Sequence, residues 1–152
     1  MQKIFILMKV IELKTLKEML EHFDVIQHLY PNLSLEKYES MLIKMLPKLY
    51  GQIAVFKDEK CIAISGFWHG TKLWCGDYIE LDNVIVHEDY RSLGAGKLMS
   101  DYLEEKAKKL KCTILVLDAY TNNFKAHRFY YNQGYSPKGF HFVKVLNKEG
   151  IN

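Results

Sequence analysis

The feature that most constrains the fold is the stretch from Tyr78 to Leu110, which joins a strand pattern to a helix pattern through a short loop. Tyr78 to Val86 is rich in β-branched residues and predicts a strand. From Ala95 to Leu110, apolar residues recur at helical spacing opposite a charged face, which predicts an amphipathic helix. The sequence therefore predicts a strand–loop–helix unit at the centre of the fold.

The loop itself, Arg91-Ser92-Leu93-Gly94-Ala95-Gly96, has the properties of an anion site. Backbone amides at the start of a helix have no partner within the helix, and they lie at the positive end of its dipole. Gly94 and Gly96 carry no side chain that would hold a ligand away from the backbone. A phosphate or pyrophosphate is the ligand that this arrangement favours.

Two common phosphate-binding motifs do not match this loop. A P-loop requires Gly-x-x-x-x-Gly-Lys-Ser/Thr, but Arg91 occupies the first glycine position and Leu98 follows Lys97. A dinucleotide fingerprint requires Gly-x-Gly-x-x-Gly, and Met99 occupies its last position. The pattern that remains, Arg-x-x-Gly-x-Gly between a strand and a long helix, resembles the acetyl-CoA pyrophosphate loop of the GNAT superfamily of N-acetyltransferases.

A second motif of the same superfamily is similar to Asn123-x-x-Ala-x-x-Phe-Tyr130-x-x-x-Gly134-Tyr. Asn123 and Tyr130 are two helical turns apart and share a helix face. The resemblance implies that Asn123 hydrogen-bonds the pantetheine arm and that Tyr130 is the general acid near the sulfur. Because a phenol has a reference pKa of about 10, it is protonated at neutral pH. A core aromatic is the plainer alternative, and Tyr131 makes the register ambiguous by one residue.

The resemblance also assigns the remaining cofactor contacts. It implies that pantetheine pairs like an added strand with Val84, Ile85 and Val86, and that an amide near Ile85 or Val86 polarises the thioester carbonyl. The pyrophosphate would bind the amides of Arg91, Ser92, Leu93, Gly94, Ala95 and Gly96. Ser92, Leu93 and Ala95 differ from the usual family residues. None of them is proline, so no amide is lost.

Two carboxylates are candidates for the general base. An amine of the lysine type has a reference pKa of about 10.4 and arrives protonated, so a carboxylate must remove a proton directly or through water. Glu80 and Asp82 lie two apart on one predicted strand and face the same side unless a bulge intervenes. By the resemblance, Glu80 occupies the position of the general-base glutamate in the histone-acetylating branch of the superfamily. The alternative interpretation is that Glu80 forms an ion pair or is a solvated edge residue. Asp82 is the second candidate, or it fixes substrate.

Several other residues have both a functional and a structural interpretation. His127 shares the helix face of Asn123 and Tyr130 and could contact the cofactor, but a half-exposed helix histidine is the simpler interpretation. Trp68, His69, Trp74 and Tyr78 could line a pocket for an aromatic or cationic acceptor, or could pack a loop.

The rest of the chain predicts an α/β (α+β) fold with a mixed, largely antiparallel sheet, a central parallel βαβ unit and about four flanking helices. This order of elements is that of the GNAT fold. The predicted strands are Met8–Leu13, Gly51–Lys57, Cys61–Trp68, Tyr78–Val86, Cys112–Leu117 and Phe140–Leu146. The other predicted helices are Thr15–His28, Leu35–Leu46 and Asn123–Gln133, with a capping box from Thr15 to Glu18, a turn at His69–Lys72 and Gly134 as a helix stop.

Composition narrows the function classes. The 152 residues favour a single domain over 1–152, and a formal net charge of +3 without a dense Lys/Arg stripe does not indicate nucleic-acid binding. Three cysteines without a Cys-x-x-Cys pair favour free thiols in a reducing cytoplasm. The apolar run Ile4–Met8 is too short for a signal peptide or a membrane span. It could lead into the first strand, or Met8 could be the natural start.

The sequence therefore predicts a cytoplasmic N-acetyltransferase. The resemblance implies acetyl-CoA as co-substrate, no metal, and direct attack by a primary amine in a ternary complex. A homodimer is possible because dimers are common in the superfamily, but the sequence does not specify the oligomeric state. The acceptor would be a small-molecule or peptide amine, with no nucleic acid or membrane as partner. The alternative is a non-catalytic module that binds or senses acyl-CoA.

Overall fold

A computed structural model describes residues 7–152, and within them five strands form one sheet in the order β1-β2-β3-β4-β5. The strands are β1 (Met8–Leu13), β2 (Tyr50–Lys57), β3 (Lys60–Lys72), β4 (Gly76–Val86) and β5 (Ile114–Leu117). The helices are α1 (Leu16–Leu20), α2 (Phe23–Gln27), α3 (Leu35–Met45), α4 (Ala95–Lys109) and α5 (Phe124–Asn132). Neighbouring strands are antiparallel except β4 and β5, which are parallel and are connected along the chain through α4. The predicted mixed fold with a βαβ unit is confirmed.

The sheet has a separate apolar core on each face. One core joins residues of α1, α2 and α3, such as Met19, Ile26 and Leu42, to Ile64 of β3. The other joins α4 to the opposite face through four side chains spaced four apart, and these are Ala95, Met99, Leu103 and Ala107. That spacing gives α4 a single buried stripe, so the helix lies flat on the sheet.

The prediction of one helix from Thr15 to His28 is wrong, because the chain breaks at Glu21–His22 into α1 and α2. The predicted capping box is confirmed, since both Thr15 and Glu18 make their reciprocal bonds. Val25 and Ile26 are both fully buried. Val25 does not lie on the stripe that begins with Leu16 and Met19, so one straight helix could not bury it together with them.

The hairpin between β3 and β4 is longer than predicted. The predicted turn at His69–Lys72 is wrong, because these residues belong to β3 and pair with β4, and the turn lies at 73–75. Glycine at position 70 permits this, since a Cβ there would lie 2.7 Å from the hydroxyl oxygen of Tyr78. The Tyr78 ring crosses β3 in the space that the missing side chain leaves.

The prediction of a last strand at Phe140–Leu146 is also wrong, because the segment has irregular backbone. Phe140 and Phe142 are 78% and 90% exposed. A strand needs a hydrogen-bonded neighbour, and β5, a strand of four residues, pairs with β4 alone among the described residues. The alternating apolar pattern at 140–146 therefore has no partner edge within the described chain.

Three remaining expectations have simple outcomes. The strand lead-in at Ile4–Met8 lies largely outside the described residues, which begin at Leu7. Among residues 7–152, no helix combines the length and apolar character needed to cross a membrane. The cysteines Cys61, Cys75 and Cys112 are free thiols.

Candidate active site

The loop between β4 and α4 presents backbone amides that no side chain caps. Gly94 is the N-cap of α4, no side chain hydrogen-bonds this terminus, and the first turn carries no acidic residue. Gly94 has φ +95°, a left-handed conformation that glycine adopts without steric cost. Side chains therefore leave the amides of the first turn uncapped, which is the arrangement that an anion site requires.

The rest of this loop is exposed and is attached to the end of β4. Arg91, Ser92, Leu93 and Gly94 are all exposed. The Nε of Arg91 donates a hydrogen bond of 3.4 Å to the carbonyl oxygen of Val86. Ser92 has φ +63°, which is unfavourable for a residue with a side chain. The glycine that is usual in the family at this position would avoid that strain.

Gly96 brings the two sequence motifs together. A Cβ at position 96 would lie 3.3 Å from Cζ of Phe129, which belongs to α5. A methyl group there would press on the aromatic ring. The start of α4 can therefore pack directly against α5 because residue 96 is glycine.

Strand β4 loses one of its two neighbours halfway along its length. It pairs with β5 only from Tyr78 to Leu81, whereas its pairing with β3 continues to Val86. From Asp82 to Val86, the edge of β4 that faces away from β3 has no strand partner among residues 7–152. This open edge leads directly to the loop at the start of α4. Val84, Ile85 and Val86, the predicted pantetheine contacts, lie along it.

A β-bulge lies at the point where β4 and β5 separate. Ser65 of β3 stands opposite both Asn83 and Val84 of β4, and Asn83 has φ +53°. The extra residue reverses the alternation of β4. Consequently, Leu81 packs in the core beneath α4, whereas Ile85 packs in the core of the opposite face.

Helix α5 begins at Asn123, whose side chain acts as the cap. Its Oδ1 accepts a hydrogen bond of 3.2 Å from the amide of Ala126, which leaves the side-chain NH₂ as the group that could donate to a pantetheine carbonyl. His127 is half-exposed, and its Nε2 contacts the carbonyl oxygen of Tyr120 at 2.8 Å. The structural interpretation of His127 thus accounts for its position without a ligand.

Tyr130 is the more enclosed of the two candidate tyrosines on α5. It is half-buried, and its ring packs edge-on against Phe129 and Tyr135 at centroid distances of 5.1 and 5.5 Å. Burial, and to a smaller extent Tyr135, raises the pKa of Tyr130 to about 12. Tyr131 is 58% exposed. The phenol of Tyr130 therefore stays protonated throughout the neutral range.

The carboxylates Glu80 and Asp82 both lie before the bulge and share one face of β4. Glu80 is paired with Trp68 across the β3–β4 ladder, and the Nε1 of Trp68 donates to Oδ2 of Asp82 at 2.9 Å. Both carboxylates are half-buried. Trp68 also packs on Tyr50 with a centroid distance of 4.8 Å. The bulge lies after Asp82, so it does not turn Glu80 and Asp82 to opposite faces of β4.

The two carboxylates differ in their environment. Burial raises the pKa of Glu80 above its usual 4.5, and the charges of Asp118 and Asp82 raise it further, whereas Lys72 and His141 oppose the shift. The Nζ of Lys72 lies 3.9 Å from Oε2 of Glu80, at a pair exposed enough to be weak. Glu80 is therefore poised to take up a proton closer to neutral pH than an ordinary glutamate.

The other predicted aromatic residues take separate positions. Trp74 is 69% exposed in the β3–β4 turn. Tyr78 lies beneath Lys72, whose Nζ is 4.4 Å from the ring centroid. Among these aromatic residues, Trp68 is the one that contacts a candidate catalytic carboxylate.

Four residues near this face were not predicted. Asp118 follows β5 and its Oδ2 lies 2.6 Å from Nδ1 of His141. Tyr30, in the connection between α2 and α3, donates to Oδ1 of Asn83 at 2.5 Å. Asn83 had a signal in the sequence, because asparagine is disfavoured within strands and tolerates the left-handed conformation of a bulge. Nothing in the local sequence indicates that the other three residues, Asp118, His141 and Tyr30, make these contacts.

Comparison with known proteins places the chain in a family. A model of the Acetyltransferase (GNAT) family matches residues 16–135. An uncharacterised N-acetyltransferase of Bacillus subtilis (strain 168), YhdJ, is 24% identical over 137 residues, which cover 89% of this chain and 96% of the relative. An aminoglycoside N-acetyltransferase in complex with CoA has the same fold, with a TM-score of 0.79 at 14% identity over 92% of this chain and 95% of that one.

Another solved structure agrees in fold. Glucosamine-6-phosphate N-acetyltransferase from Arabidopsis thaliana superimposes with a TM-score of 0.74 at 17% identity, covering 93% of this chain and 99% of that chain. At such identities the structural likeness shows the fold, and the family match over residues 16–135 shows the relationship. The chain therefore belongs to the GNAT family and is an acetyltransferase that uses an acyl-CoA donor.

Proposed function

We propose that the protein is an acetyl-CoA-dependent N-acetyltransferase that acetylates a primary amine by direct attack in a ternary complex. The observation that carries this proposal is the open edge of β4 beside the uncapped start of α4. An amide-containing arm can pair with an unpaired strand edge, and a pyrophosphate can bind uncapped helix amides. These two features are contiguous in the structure, as a ligand with both groups requires.

The residues present fit the donor well. The edge formed by Val84, Ile85 and Val86 would bind the pantetheine arm, and Asn123 would donate to it from α5. The pyrophosphate would lie on the amides of 91–96, where a protein carboxylate is absent from the first helical turn. Bound acetyl-CoA would supply the acetyl group as a thioester.

Groups of the protein would then transfer protons and stabilise charge during the reaction. The amine nitrogen attacks the thioester carbonyl carbon, so that a C–N bond forms and the C–S bond breaks. Tyr130 would give its phenolic proton to the departing sulfur, because a phenol with a pKa well above 7 carries that proton at neutral pH. A backbone amide at Ile85 or Val86 would stabilise the developing oxyanion.

Glu80 is our first candidate to take the amine proton. Its raised pKa makes it a stronger base than an ordinary glutamate. Asp82 has one oxygen engaged by Trp68, which suits it better to hold the substrate, and water between the amine and either carboxylate is the other route. If Glu80 is the base, Glu80→Gln removes the acidic limb of the pH–rate profile, whereas an unchanged limb would exclude this role.

The acceptor we propose is a small-molecule or peptide amine. Glu80 and Asp82 in the middle of β4 and Asp118 just after β5 are close enough for the charges of Asp82 and Asp118 to raise the pKa of Glu80, and negative charge favours a cationic amine. Related folds include enzymes named for glucosamine-6-phosphate and for aminoglycosides. We propose neither a nucleic acid nor a membrane as partner, and no metal, and we place the reaction in the cytoplasm.

We further propose that the protein forms a homodimer. Supporting this, the segment 140–146 exposes several large apolar side chains, and the outer edge of β5 has no strand partner among the described residues. Sedimentation of the protein at micromolar concentration should give twice the mass of the 17.9 kDa chain. A monomer across that range would refute this part of the proposal.

The activity itself is tested by chromatographic detection of free CoA and acetylated product with acetyl-CoA and a panel of primary amines. Tyr130→Phe should lower turnover about 100-fold without weakening acetyl-CoA binding, because general acid catalysis contributes factors of this size. The matched control is Tyr131→Phe on the same helix, which should retain wild-type turnover. Equal turnover by both variants would remove the role of Tyr130. Tight acetyl-CoA binding without turnover on any amine would instead support an acyl-CoA-binding module.

A further inference from the structure

Asn83 at the bulge is held by a tyrosine from outside the sheet. The hydroxyl of Tyr30, in the connection between α2 and α3, donates to Oδ1 of Asn83 at 2.5 Å. Tyr30 is 53 residues away in sequence, and both residues are half-buried. The bulge is therefore attached to the helical layer that covers this face of the sheet.

A second, buried set of polar groups lies beside the bulge. Gln52, which is 1% exposed, donates from Nε2 to the hydroxyls of Tyr38 at 2.8 Å and Tyr50 at 3.0 Å. Burial raises the pKa of Tyr50, and the hydrogen bond from Gln52 to its oxygen opposes that rise. Tyr38, Gln52 and Tyr50 thus link α3 to β2.

Glycine at position 66 makes room for the hydroxyl of Tyr50. Gly66 pairs with Asp82 just before the bulge, and a Cβ there would lie 2.4 Å from the Tyr50 hydroxyl and 2.9 Å from the carbonyl oxygen of Asp82. The hydroxyl of Tyr50 therefore occupies the position that any other residue's side chain would fill. Gly66 and the Tyr50 hydroxyl therefore fit together beside the bulge.

The bulge decides how the open edge of β4 is presented. With regular alternation, Ile85 would lie on the same face as Leu81, but the bulge moves it to the opposite core. A register without the bulge would break the hydrogen bond between Tyr30 and Asn83. Polar groups that are shielded from water and lack a hydrogen bond lower the stability of the fold. The side-chain contacts of Asn83 thus select one of two backbone arrangements.

We propose that Tyr30 acts through Asn83 as a positioning residue, which fixes the bulge and so aims the backbone of 84–86 at the thioester carbonyl. This inference rests on the proposed function. It assigns a catalytic consequence to residues that need not touch either substrate. Displacing one oxyanion donor slows acyl transfer substantially, so a loosened bulge should lower turnover while the pyrophosphate loop keeps its affinity.

The test uses Tyr30→Phe, Asn83→Gly and the double variant. Glycine accepts the φ of +53° at position 83, so Asn83→Gly removes the side-chain contacts without straining the bulge. We expect each single variant to lower kcat about tenfold, with the KM for acetyl-CoA changed less than about threefold. The double variant should be no slower than Asn83→Gly, because Tyr30 acts through Asn83.

The matched control is Tyr102→Phe, which also removes a tyrosine hydrogen bond, from the hydroxyl to Oε2 of Glu12 at 3.1 Å on the other face of the sheet. Its kcat should stay at the wild-type value. Wild-type kcat in Tyr30→Phe would overturn the positioning role, and so would equal losses from Tyr30→Phe in the wild-type and Asn83→Gly backgrounds.

A readout without turnover separates this inference from the proposed function. Amide hydrogen exchange at His87, whose amide donates to the carbonyl oxygen of Ile62 at 2.9 Å across the β3–β4 ladder, should be faster in Tyr30→Phe and Asn83→Gly than in the wild type, and unchanged in Tyr102→Phe. Unchanged exchange in the first two variants would overturn the positioning role. A wild-type protein that acetylates no amine would refute the proposed function, while faster exchange would still support the fixing of the bulge.

Discussion

The N-termini of α1 and α4 satisfy the same physical requirement in opposite ways. At α1, Oγ1 of Thr15 accepts from the amide of Glu18 at 3.2 Å, and Oε2 of Glu18 accepts from the amides of Thr15 and Lys14 at 2.8 and 2.7 Å. At α4 the N-cap is Gly94, and no side chain accepts a hydrogen bond from the first turn. The start of α1 is closed, in that side chains of the protein cap its amides. The start of α4 is open, in that its amides are uncapped.

The difference comes from two positions in each helix. The N-cap and the third helical residue are Thr15 and Glu18 in α1, but Gly94 and Lys97 in α4. Lys97 forms an ion pair with Asp101 one turn further along, with Nζ 2.6 Å from Oδ2. At the start of α4, acetyl-CoA would therefore meet uncapped amides and positive charge. At the start of α1, the carboxylate of Glu18 already binds the amides. A helix N-terminus becomes a binding site only where the sequence leaves its amides uncapped.

The largest effect should come from closing the open terminus. Gly94→Asp introduces a carboxylate that competes for the α4 amides and repels the pyrophosphate, so we expect the Kd for acetyl-CoA to rise at least about tenfold. Gly94→Asn has nearly the same shape without the charge, and both residues tolerate a left-handed φ. Asparagine should raise the Kd by about threefold or less. Equal affinities of the two variants, measured by calorimetry, would refute an anion site at α4.

Opening the closed terminus should change stability and leave binding intact. Thr15→Ala removes an N-cap, and we expect it to lower the free energy of unfolding by about 1 kcal/mol in urea titrations. Its Kd for acetyl-CoA should equal that of the wild type. A weakened Kd would show that α1 takes part in cofactor binding, contrary to the comparison.

The capping box also makes the stability that the start of α1 contributes depend on pH. Hydrogen bonds from the amides of Lys14 and Thr15 hold the pKa of Glu18 below its usual 4.5. A carboxylate with a lowered pKa stabilises the folded state above its ordinary pKa, and this contribution is lost as pH falls through the lowered value. The stability difference between wild type and Glu18→Gln should therefore be constant near neutral pH and should shrink in acid.

The smallest effect should come from relieving strain within the open loop. Ser92 has φ +63°, so Ser92→Gly should be more stable than Ser92→Ala by less than about 1 kcal/mol, because alanine keeps the steric cost and glycine does not. The comparison with alanine removes the effect of losing the hydroxyl. Thermal unfolding of the two variants measures the difference. Equal stabilities would indicate that the loop relaxes to another conformation at residue 92.

The central unit of the fold could be predicted from local sequence. The strand through Val86, the loop and the helix from Ala95 have strong and distinct periodicities, and Gly94 and Gly134 mark conformations that favour glycine. The motif residues Asn123 and Tyr130 lie on the predicted helix α5. These elements depend on contacts close in sequence, which local patterns report well.

The errors involve contacts that are distant in sequence. The break in Thr15–His28 depends on how Val25 reaches the core, and the length of β3 depends on Gly70 fitting the Tyr78 ring. The segment Phe140–Leu146 has the pattern of a strand, but a strand also requires a partner edge. The contact between Tyr30 and Asn83 spans 53 residues. No periodicity within either segment could report it.

The most direct test of this account is an amide chemical-shift titration of the isotope-labelled protein with acetyl-CoA. The account predicts large shifts for Ile85 and Val86 on the open edge of β4 and for Gly94, Ala95 and Gly96 at the start of α4. The amides of Thr15 and Glu18, at the capped start of α1, should not move. Binding that shifts the α1 amides and leaves Gly94 to Gly96 unchanged would contradict the placement of the cofactor at the uncapped helix.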